Sequence, residues 1–269
     1  MDRVISDPTP NSEAPETVRP APRGGMPGLS LVVPVYNELE NLRPLLARVR
    51  ETLDGYFAWR LILVDDGSTD GSRDLVKELA DEDPQVIGVL LPHNCGQTSA
   101  TATGIWHAKT ELVATMDADL QNDPVDLPAL HGALGDLDAV VGWRQKRNDT
   151  WVRRISSRVA NRVRNRLTGD SIRDTGCSLK LFRREPIQSI PLFEGMHRFL
   201  PTLLRLHGYS VGEHPVSHHP RERGESKYGI RNRLFKSIRD LIAVRWMGRR
   251  AIRHMEVQVV AKDSAEARG

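Results

Sequence analysis

The sequence predicts an α/β fold with a mostly parallel central sheet flanked by helices. Short apolar segments alternate with segments whose apolar residues recur at helical spacing, and polar residues directly follow the apolar segments. Such alternation is typical of parallel strands joined by right-handed helical crossovers. Ligands of these sheets bind beyond the carboxyl ends of the strands. The polar residues that follow each strand are therefore the first candidates for function.

The first half of the chain alternates strands and helices in a regular order. Apolar segments predict strands over 29–33, 61–64, 86–91 and 112–116. Helices are predicted between them over 38–53, 72–79 and 99–108. A fifth strand over 139–142 precedes a helix over 151–167 that carries six arginines and no acidic residue. Charge of a single sign favours a helix that faces an anion.

Composition divides the chain into four predicted parts. Residues 1–28 are proline-rich and are expected to be disordered. One domain is predicted over 29–230, followed by a basic amphipathic helix over 231–255 and a tail over 256–269. No apolar segment approaches the ~20 residues that span a bilayer, and no signal peptide is recognised. Two cysteines without a Cys-x-x-Cys motif favour the cytoplasm.

Charge is distributed unevenly along the chain. Residues 29–140 contain 7 basic and 19 acidic side chains, whereas residues 141–255 contain 26 basic and 9 acidic ones. A basic half predicts an anionic partner, such as nucleic acid, a phospholipid surface or a phosphorylated substrate. The helix over 231–255 fits peripheral binding to an anionic membrane, and it equally fits a core helix with a basic outer face.

Two acids and an amide follow the fourth predicted strand. Asp117, Asp119 and Gln121 offer the hard oxygen ligands that suit Mg²⁺ or Mn²⁺ with an attached diphosphate. A surface turn is the simpler alternative, since Asp often follows strands. The triplet alone does not decide between the two.

Polar residues also follow the first two strands. Asp65 and Asp66 are candidates to accept hydrogen bonds from a base or from ribose hydroxyls, while Asp70 and Ser72 are predicted to cap a helix. After the first strand, Tyr36 is a candidate to contact a base, and packing explains it equally well.

Three motifs follow one another along the chain: Pro-Val-Tyr-Asn-Glu at 34–38, Val-Asp-Asp-Gly-Ser-Thr-Asp-Gly-Ser at 64–72 and Met-Asp-Ala-Asp-Leu-Gln at 116–121. They resemble the motifs of the inverting family 2 glycosyltransferases, most closely those of the dolichyl- and polyprenyl-phosphate sugar synthases. The resemblance covers residues 29 to about 245. It implies the GT-A fold, a UDP- or GDP-sugar donor, and Mg²⁺ or Mn²⁺ as cofactor.

The resemblance also implies roles for individual residues. The donor site would comprise Pro34, Tyr36, Glu38, Asp65, Asp66, Asn94, Gly96, Gln97, Asp117 and Ala118, with the metal on Asp117, Asp119 and Gln121. The acceptor phosphate would lie among Arg144, Arg153, Ser157 and Ser226. Catalysis would depend on Asp119, Arg153, Ser157, Arg221 and Lys227. The segment 174–180 resembles one that lines the sugar and acceptor side.

A polyprenyl phosphate acceptor would be an anion already, because a phosphate monoester has a second pKa of about 6. It would need positioning rather than deprotonation. The enzyme would act peripherally at the inner face of the membrane; a homo-oligomer or an integral-membrane partner stays open. A saccharide acceptor is the alternative, and it would require a carboxylate base. A basic RNA-binding protein is the outside alternative, but few aromatic residues accompany the arginines, so no nucleic acid is expected.

Overall fold

A computed structural model of the chain describes residues 25–145, 172–220 and 230–250, the last range with its side chains from residue 239 onward. The tails over 1–24 and 251–269 lie outside these residues, as do the predicted arginine-rich helix and five predicted site residues, namely Arg153, Ser157, Arg221, Ser226 and Lys227.

Seven strands form one sheet in the described part of the chain. They are β1 (Gly28–Val35), β2 (Ala58–Asp65), β3 (Val86–Leu90), β4 (Leu112–Thr115), β5 (Ala139–Arg144), β6 (Lys180–Arg183) and β7 (Val211–Val216). Their order across the sheet is β3-β2-β1-β4-β6-β5-β7. The strand β6 runs antiparallel to β4 and β5, and all other pairs are parallel. The prediction of a mostly parallel α/β sheet is confirmed.

Seven α-helices are described around this sheet. They are α1 (Leu39–Leu53), α2 (Ser72–Glu82), α3 (Gln97–His107), α4 (Leu127–Leu134), α5 (Arg184–Ser189), α6 (Leu200–Leu206) and α7 (Ile230–Arg250). Short 3-10 turns occur at Pro124–Asp126 and Met196–Arg198. No described helix is long and apolar enough to cross a membrane.

The sheet is covered on both faces. Alternate residues of β1 enter different apolar clusters: Leu31 packs with α1, α2 and α4, whereas Val32 packs with α3 and α6. This two-sided burial explains why the first strands are nearly continuous apolar segments. In α7, Val244 is buried in the second cluster, so this helix is anchored to the domain.

Candidate active site

The two adjacent acids at the end of β2 have different surroundings. Asp65 is fully buried, and its oxygens accept hydrogen bonds from the backbone of Gly67 and Ser68, both at 3.2 Å, and from Arg73 Nη1 at 2.9 Å. Its carboxylate is therefore used to shape the loop after β2. The contact of Asp65 with the donor stays a prediction; its three internal hydrogen bonds show that the carboxylate also supports this loop.

Asp66 joins the end of β2 to the loop before α3. Its carboxylate accepts backbone hydrogen bonds from Cys95 at 2.6 Å and Gly96 at 3.0 Å. Burial raises the pKa of Asp66, and the hydrogen bonds from Cys95 and Gly96 oppose that rise. A carboxylate has about four lone-pair sites, so contact with a base or ribose is compatible with these bonds and stays a prediction.

Gly67 allows the two loops to touch. It has a φ of +72°, and a Cβ there would lie 2.5 Å from the backbone nitrogen of Asn94 and 2.7 Å from the carbonyl carbon of His93. Only glycine fits both the left-handed conformation and this close approach. The contact brings the predicted donor residues of segments 65–66 and 94–97 together at one edge of the sheet.

The loop after β1 is bonded to the loop after β2. Asn37 has a φ of 54°; its backbone N–H donates to Ser68 Oγ at 2.9 Å, and its side-chain oxygen accepts from Thr69 N at 2.7 Å. Ser72 Oγ accepts from Glu38 N at 2.9 Å, and Asp70 accepts from Ser72 N, also at 2.9 Å. The prediction that Asp70 and Ser72 cap the helix is wrong in its details: Gly71 is the N-cap of α2 and no side chain caps it. Asp70 bonds the first helical residue instead, and Ser72 joins the start of the helix to the loop after β1.

The predicted contacts of the first loop with the donor stay predictions. Tyr36 and Pro34 are only partly buried at the ligand edge of the sheet, so neither belongs to the core. The Glu38 carboxylate accepts from Asn41 Nδ2 at 2.6 Å, which holds it near the start of α1.

Asp117 is held from two sides. Its Oδ1 accepts a hydrogen bond from Gln97 Nε2 at 2.8 Å, and its backbone N–H donates to Ser178 Oγ at 3.1 Å. Burial raises the pKa of the Asp117 carboxyl, and the nearby charge of Lys180 is the largest influence opposing it. Gln97 and Asp117, which were predicted separately, are thus brought into direct contact.

Residues 117–121 form the loop that is predicted to bind the metal, called the metal loop below, and its second half is tightly turned. Asp119 Oδ1 accepts from Gln121 N at 3.2 Å, and Leu120 between them has a φ of 58°. A left-handed leucine costs of order 1–3 kcal/mol and is retained where the surrounding structure enforces it, often at functional sites. Ala118 is buried beneath this turn. The strained backbone of Leu120 therefore indicates that this turn has a role beyond joining two elements.

The donor atoms fit a hard divalent cation bound partly by substrate. Asp117, Asp119 and Gln121 supply two carboxylates and an amide oxygen on one short loop. Within the described residues, no group of three or more His, Cys, Asp or Glu could hold a metal by itself. An incomplete oxygen site of this kind suits Mg²⁺ or Mn²⁺, which take their remaining ligands from water and phosphate.

Arg144 lies at the carboxyl end of β5 and pairs with Asp174. Its Nε and Nη2 donate to the two carboxylate oxygens at 2.7 and 2.9 Å. The contact of Arg144 with the acceptor phosphate stays a prediction, and the pair with Asp174 holds its guanidinium at the end of β5. Any attraction it exerts on an acceptor phosphate is reduced by Asp174.

Sequence reasoning missed the support that segment 177–180 gives to the metal loop. Ser178 Oγ donates to Asn122 Oδ1 at 2.9 Å, and Thr115 Oγ1 donates to the Ser178 carbonyl at 2.9 Å. Lys180 is buried beside them. The sequence feature that could have revealed this support is a lysine within the apolar segment Leu179-Lys-Leu-Phe182, because a buried charge needs a partner.

The segment that precedes residues 221–229 also reaches the metal loop. The His219 backbone N–H donates to the Gln121 carbonyl at 2.8 Å, and Ser217 N donates to Asp126 Oδ2 at 2.7 Å. Burial raises the pKa of Asp126, and the hydrogen bonds from Ser217 are among the interactions opposing that rise. The chain is therefore fixed against the metal loop where the described segment 172–220 ends.

Comparison with known proteins identifies the family of the chain. The family model for glycosyl transferase family 2 matches residues 30–190. The chain is 43% identical over 223 residues to dodecaprenyl-phosphate galacturonate synthase of Rhizobium johnstonii. It is 41% identical over 217 residues to undecaprenyl-phosphate 4-deoxy-4-formamido-L-arabinose transferase of Edwardsiella ictaluri. Both matches cover 80% of this chain and 66% of the relative.

A solved structure shares the fold at low identity. Glucosyl-3-phosphoglycerate synthase from Mycobacterium tuberculosis, in complex with Mn²⁺, UDP and glucosyl-3-phosphoglycerate, superimposes with a TM-score of 0.61 and 19% identity, covering 83% of this chain and 80% of its own. This likeness identifies a GT-A-like fold. Together with the family match over most of the sheet, it shows that the chain belongs to the family 2 glycosyltransferases.

Proposed function

We propose that this glycosyltransferase moves a sugar from a UDP- or GDP-sugar to a polyprenyl phosphate, with the help of Mg²⁺ or Mn²⁺. The supporting observation is the braced loop of Asp117 and Asp119, in a chain more than 40% identical to two enzymes named for polyprenyl-phosphate acceptors. The chain spans about two thirds of the length of these relatives. The family match leaves the RNA-binding alternative without support.

The donor would bind across the loops after β1, β2, β3 and β4. A divalent cation would neutralise charge on the departing diphosphate. Asp117 and Asp119 would hold it, with Gln121 as the third predicted ligand. Gln97 keeps the Asp117 carboxylate in place, and Asp66 fixes the backbone of 95–96 where the nucleotide or sugar would lie. The solved fold neighbour was crystallised with Mn²⁺ and UDP, which supports a divalent metal and a nucleotide donor in this proposal.

The acceptor chemistry requires no general base. A phosphate oxygen of the acceptor would form a bond to the anomeric carbon while the bond from that carbon to the diphosphate breaks, with inversion. The nucleoside diphosphate leaves as an anion, and no proton is transferred. Arg153, Ser157, Ser226, Arg221 and Lys227 stay predicted to orient the two phosphates, because guanidinium and ammonium groups bind phosphate oxygens directly.

Helix α7 would place the enzyme on an anionic membrane surface. Val244 is buried in the domain, whereas Ile242 and Trp246 are 62% and 61% exposed on the opposite side. Arg250 stacks near the Trp246 ring at 5.7 Å. The two interpretations of this helix from sequence are therefore compatible: one face packs on the core, and the other is proposed to offer apolar and cationic groups to lipid.

A transfer assay tests the proposal directly. Purified protein is incubated with Mn²⁺, a panel of UDP- and GDP-sugars, and either a polyprenyl phosphate or free saccharides. We expect sugar to be transferred to the polyprenyl phosphate, and chelation of the metal to abolish transfer. Transfer to saccharides alone would establish the alternative acceptor class and overturn the proposal.

Variants of the metal loop provide the second arm of this experiment. Asp117→Asn and Asp119→Asn should each reduce transfer by at least about 100-fold, because each removes a negatively charged metal ligand. Asp81→Asn, at an exposed acid near the far end of α2, is the matched control and should retain activity. Full activity of Asp119→Asn in the presence of metal would exclude the proposed metal site.

A further inference from the structure

Thr98 joins the start of α3 to a loop that is distant in sequence. Its hydroxyl oxygen accepts a hydrogen bond from the Gly195 backbone N–H at 3.0 Å and lies 2.7 Å from His197 Nδ1. A hydroxyl has one proton and two lone pairs, so Thr98 can accept from Gly195 and donate to His197 at the same time. Thr98 is only 8% exposed. This buried hydroxyl therefore fixes the two segments to each other.

The loop that Thr98 bonds is itself held firmly in the domain. It comprises residues 193–199 and is called the anchor loop below. Met196 is fully buried in the apolar cluster to which α7 also contributes. Gly195 has a φ of +91°, and a Cβ there would overlap the Asp240 carboxylate of α7. The anchor loop is thus enclosed between the core and α7, and it offers Thr98 a rigid support.

Helix α3 needs such a support because little else sets its rotation about its own axis. Its N-cap is Gly96, a residue without a side chain to cap the helix. The helix packs closely on the sheet at Gly104, where an added Cβ would overlap Val32. Gly104 lies on the same side of the helix as Gln97, because seven residues nearly complete two turns. Thr98 points about 100° away from that side, so its bonds fix the rotation.

Gln97, the neighbour of Thr98, is the residue of α3 that contacts the metal loop. Its Nε2 donates to Asp117 Oδ1 at 2.8 Å. Asp66 accepts from the backbone N–H of Gly96 at 3.0 Å, directly before Gln97. The backbone of Gln97 therefore lies between a bond to the end of β2 and a bond to the anchor loop. Loss of the second bond would allow the Gln97 amide to move away from the Asp117 carboxylate.

We propose that Thr98 is a positioning residue of the donor site, which fixes the start of α3 on the anchor loop so that Gln97 holds the Asp117 carboxylate towards the donor diphosphate. This inference rests on the proposed function, because it assigns Thr98 to the binding of the donor. Thr98 is buried and acts through Gln97. Since the anchor loop also lies against α7, the same contact connects the proposed membrane-facing helix with the proposed donor site.

Donor binding and sugar transfer by Thr98→Val test this assignment. Valine keeps the shape of threonine and removes the hydroxyl, so the bonds to Gly195 and His197 are lost. We expect the Kd for UDP with Mn²⁺, measured by titration calorimetry, and the KM for the sugar nucleotide to rise by about tenfold, as when other supports of a metal ligand are removed. The KM for the polyprenyl phosphate should stay within about twofold, because the change acts on the donor side.

Two further variants separate positioning from a general loss of stability. Thr98→Ser keeps the hydroxyl and should restore the affinity for UDP. Thr103→Val is the matched control, because the Thr103 hydroxyl donates to the Ser99 carbonyl within α3 at 2.8 Å, and it should leave the Kd within about twofold. Unchanged donor affinity in Thr98→Val would overturn the inference even if stability falls. An equal loss of affinity in Thr98→Ser or in Thr103→Val would overturn it as well.

Unfolding measurements test the link without any ligand. Adjacent helical side chains do not face each other, so Thr98→Val and Gln97→Met should have additive effects on stability unless Thr98 supports the bond of Gln97. A double variant that loses less stability than the two single losses together supports the link, and additive losses overturn it. If the wild type binds no UDP with Mn²⁺, the proposed donor site fails, and this comparison alone decides whether Thr98 positions Gln97. If Thr98→Val does not fold, His197→Phe, which removes the ring nitrogen that Thr98 bonds, takes its place in both experiments.

Discussion

The adjacent residues Asp65 and Asp66 show how neighbouring acids of one sequence motif support different loops. Asp65 is turned into the protein and organises its own loop, whereas Asp66 extends to the backbone of a second loop. Because side chains alternate between the faces of a strand end, neighbouring acids need not share a role. The motif marks the position of the site, and the hydrogen bonds distinguish the two carboxylates.

Gly67 provides a test of how closely these loops must approach. Gly67→Ala would combine a left-handed backbone with a Cβ placed 2.5 Å from Asn94 N. Gly55 has a similar φ of +80° but nothing within 4 Å of the added Cβ, so Gly55→Ala isolates the backbone cost. We expect Gly55→Ala to lose about 1 kcal/mol of unfolding free energy, and Gly67→Ala to lose a further ~1–3 kcal/mol.

Denaturant unfolding measures both values, and UDP binding should weaken only in Gly67→Ala. Equal losses of stability in the two variants would show that the loops separate easily. In that case the contact between the β2 and β3 loops would not determine the shape of the donor site.

At the scale of elements, the sequence was most informative where strands are buried on both faces. The apolar segments of β1, β2 and β4 were recognised because helices cover both sides of the sheet there. The strands β6 and β7 were missed. The four residues of β6 begin with a buried lysine and end with an arginine, and β7 contains Pro215. Proline is tolerated in β7 because this strand lies at the edge of the sheet.

Helix α7 supports a prediction about membrane binding. Trp246→Ser should weaken binding to vesicles containing anionic phosphatidylglycerol by about tenfold, since an indole ring would leave the lipid interface. Trp106→Ser on α3 is the matched control, because Trp106 is 56% exposed but lies on another helix. Vesicle co-sedimentation checks both variants, and equal weakening in the two would contradict a membrane-facing α7.

For the molecule as a whole, the acidic and the basic halves of the sequence occupy different parts of one sheet. The strands β1 to β4 belong to the acidic half, while β5 to β7 belong largely to the basic half, and the two groups meet where β4 pairs with β6. Sequence composition predicted the two halves. It could not predict their junction, because the reversed strand β6 is specified by contacts between distant residues such as Thr115 and Ser178.

The same arrangement predicts a global response to the donor. Loops from four strands form the proposed donor side, so binding there should stabilise the whole domain. At a UDP concentration of 100 Kd with Mn²⁺, the stabilisation of about 2.7 kcal/mol should raise the Tm by roughly 5–10 °C. UDP with a chelator should give a much smaller shift in thermal unfolding. An equal shift with and without metal would contradict metal-assisted binding.

The direction of β6 has a consequence for how the site can change. In a wholly parallel sheet, the loops at the ligand edge all follow strands. Because β6 is reversed, the segment before it, 174–179, arrives at the same edge as the loops after β4 and β5. Ser178 in that segment accepts from the backbone N–H of Asp117, and its carbonyl accepts from Thr115. A substitution in this segment would therefore be transmitted to the loop after β4, so the reversed strand couples the two sides of the proposed site.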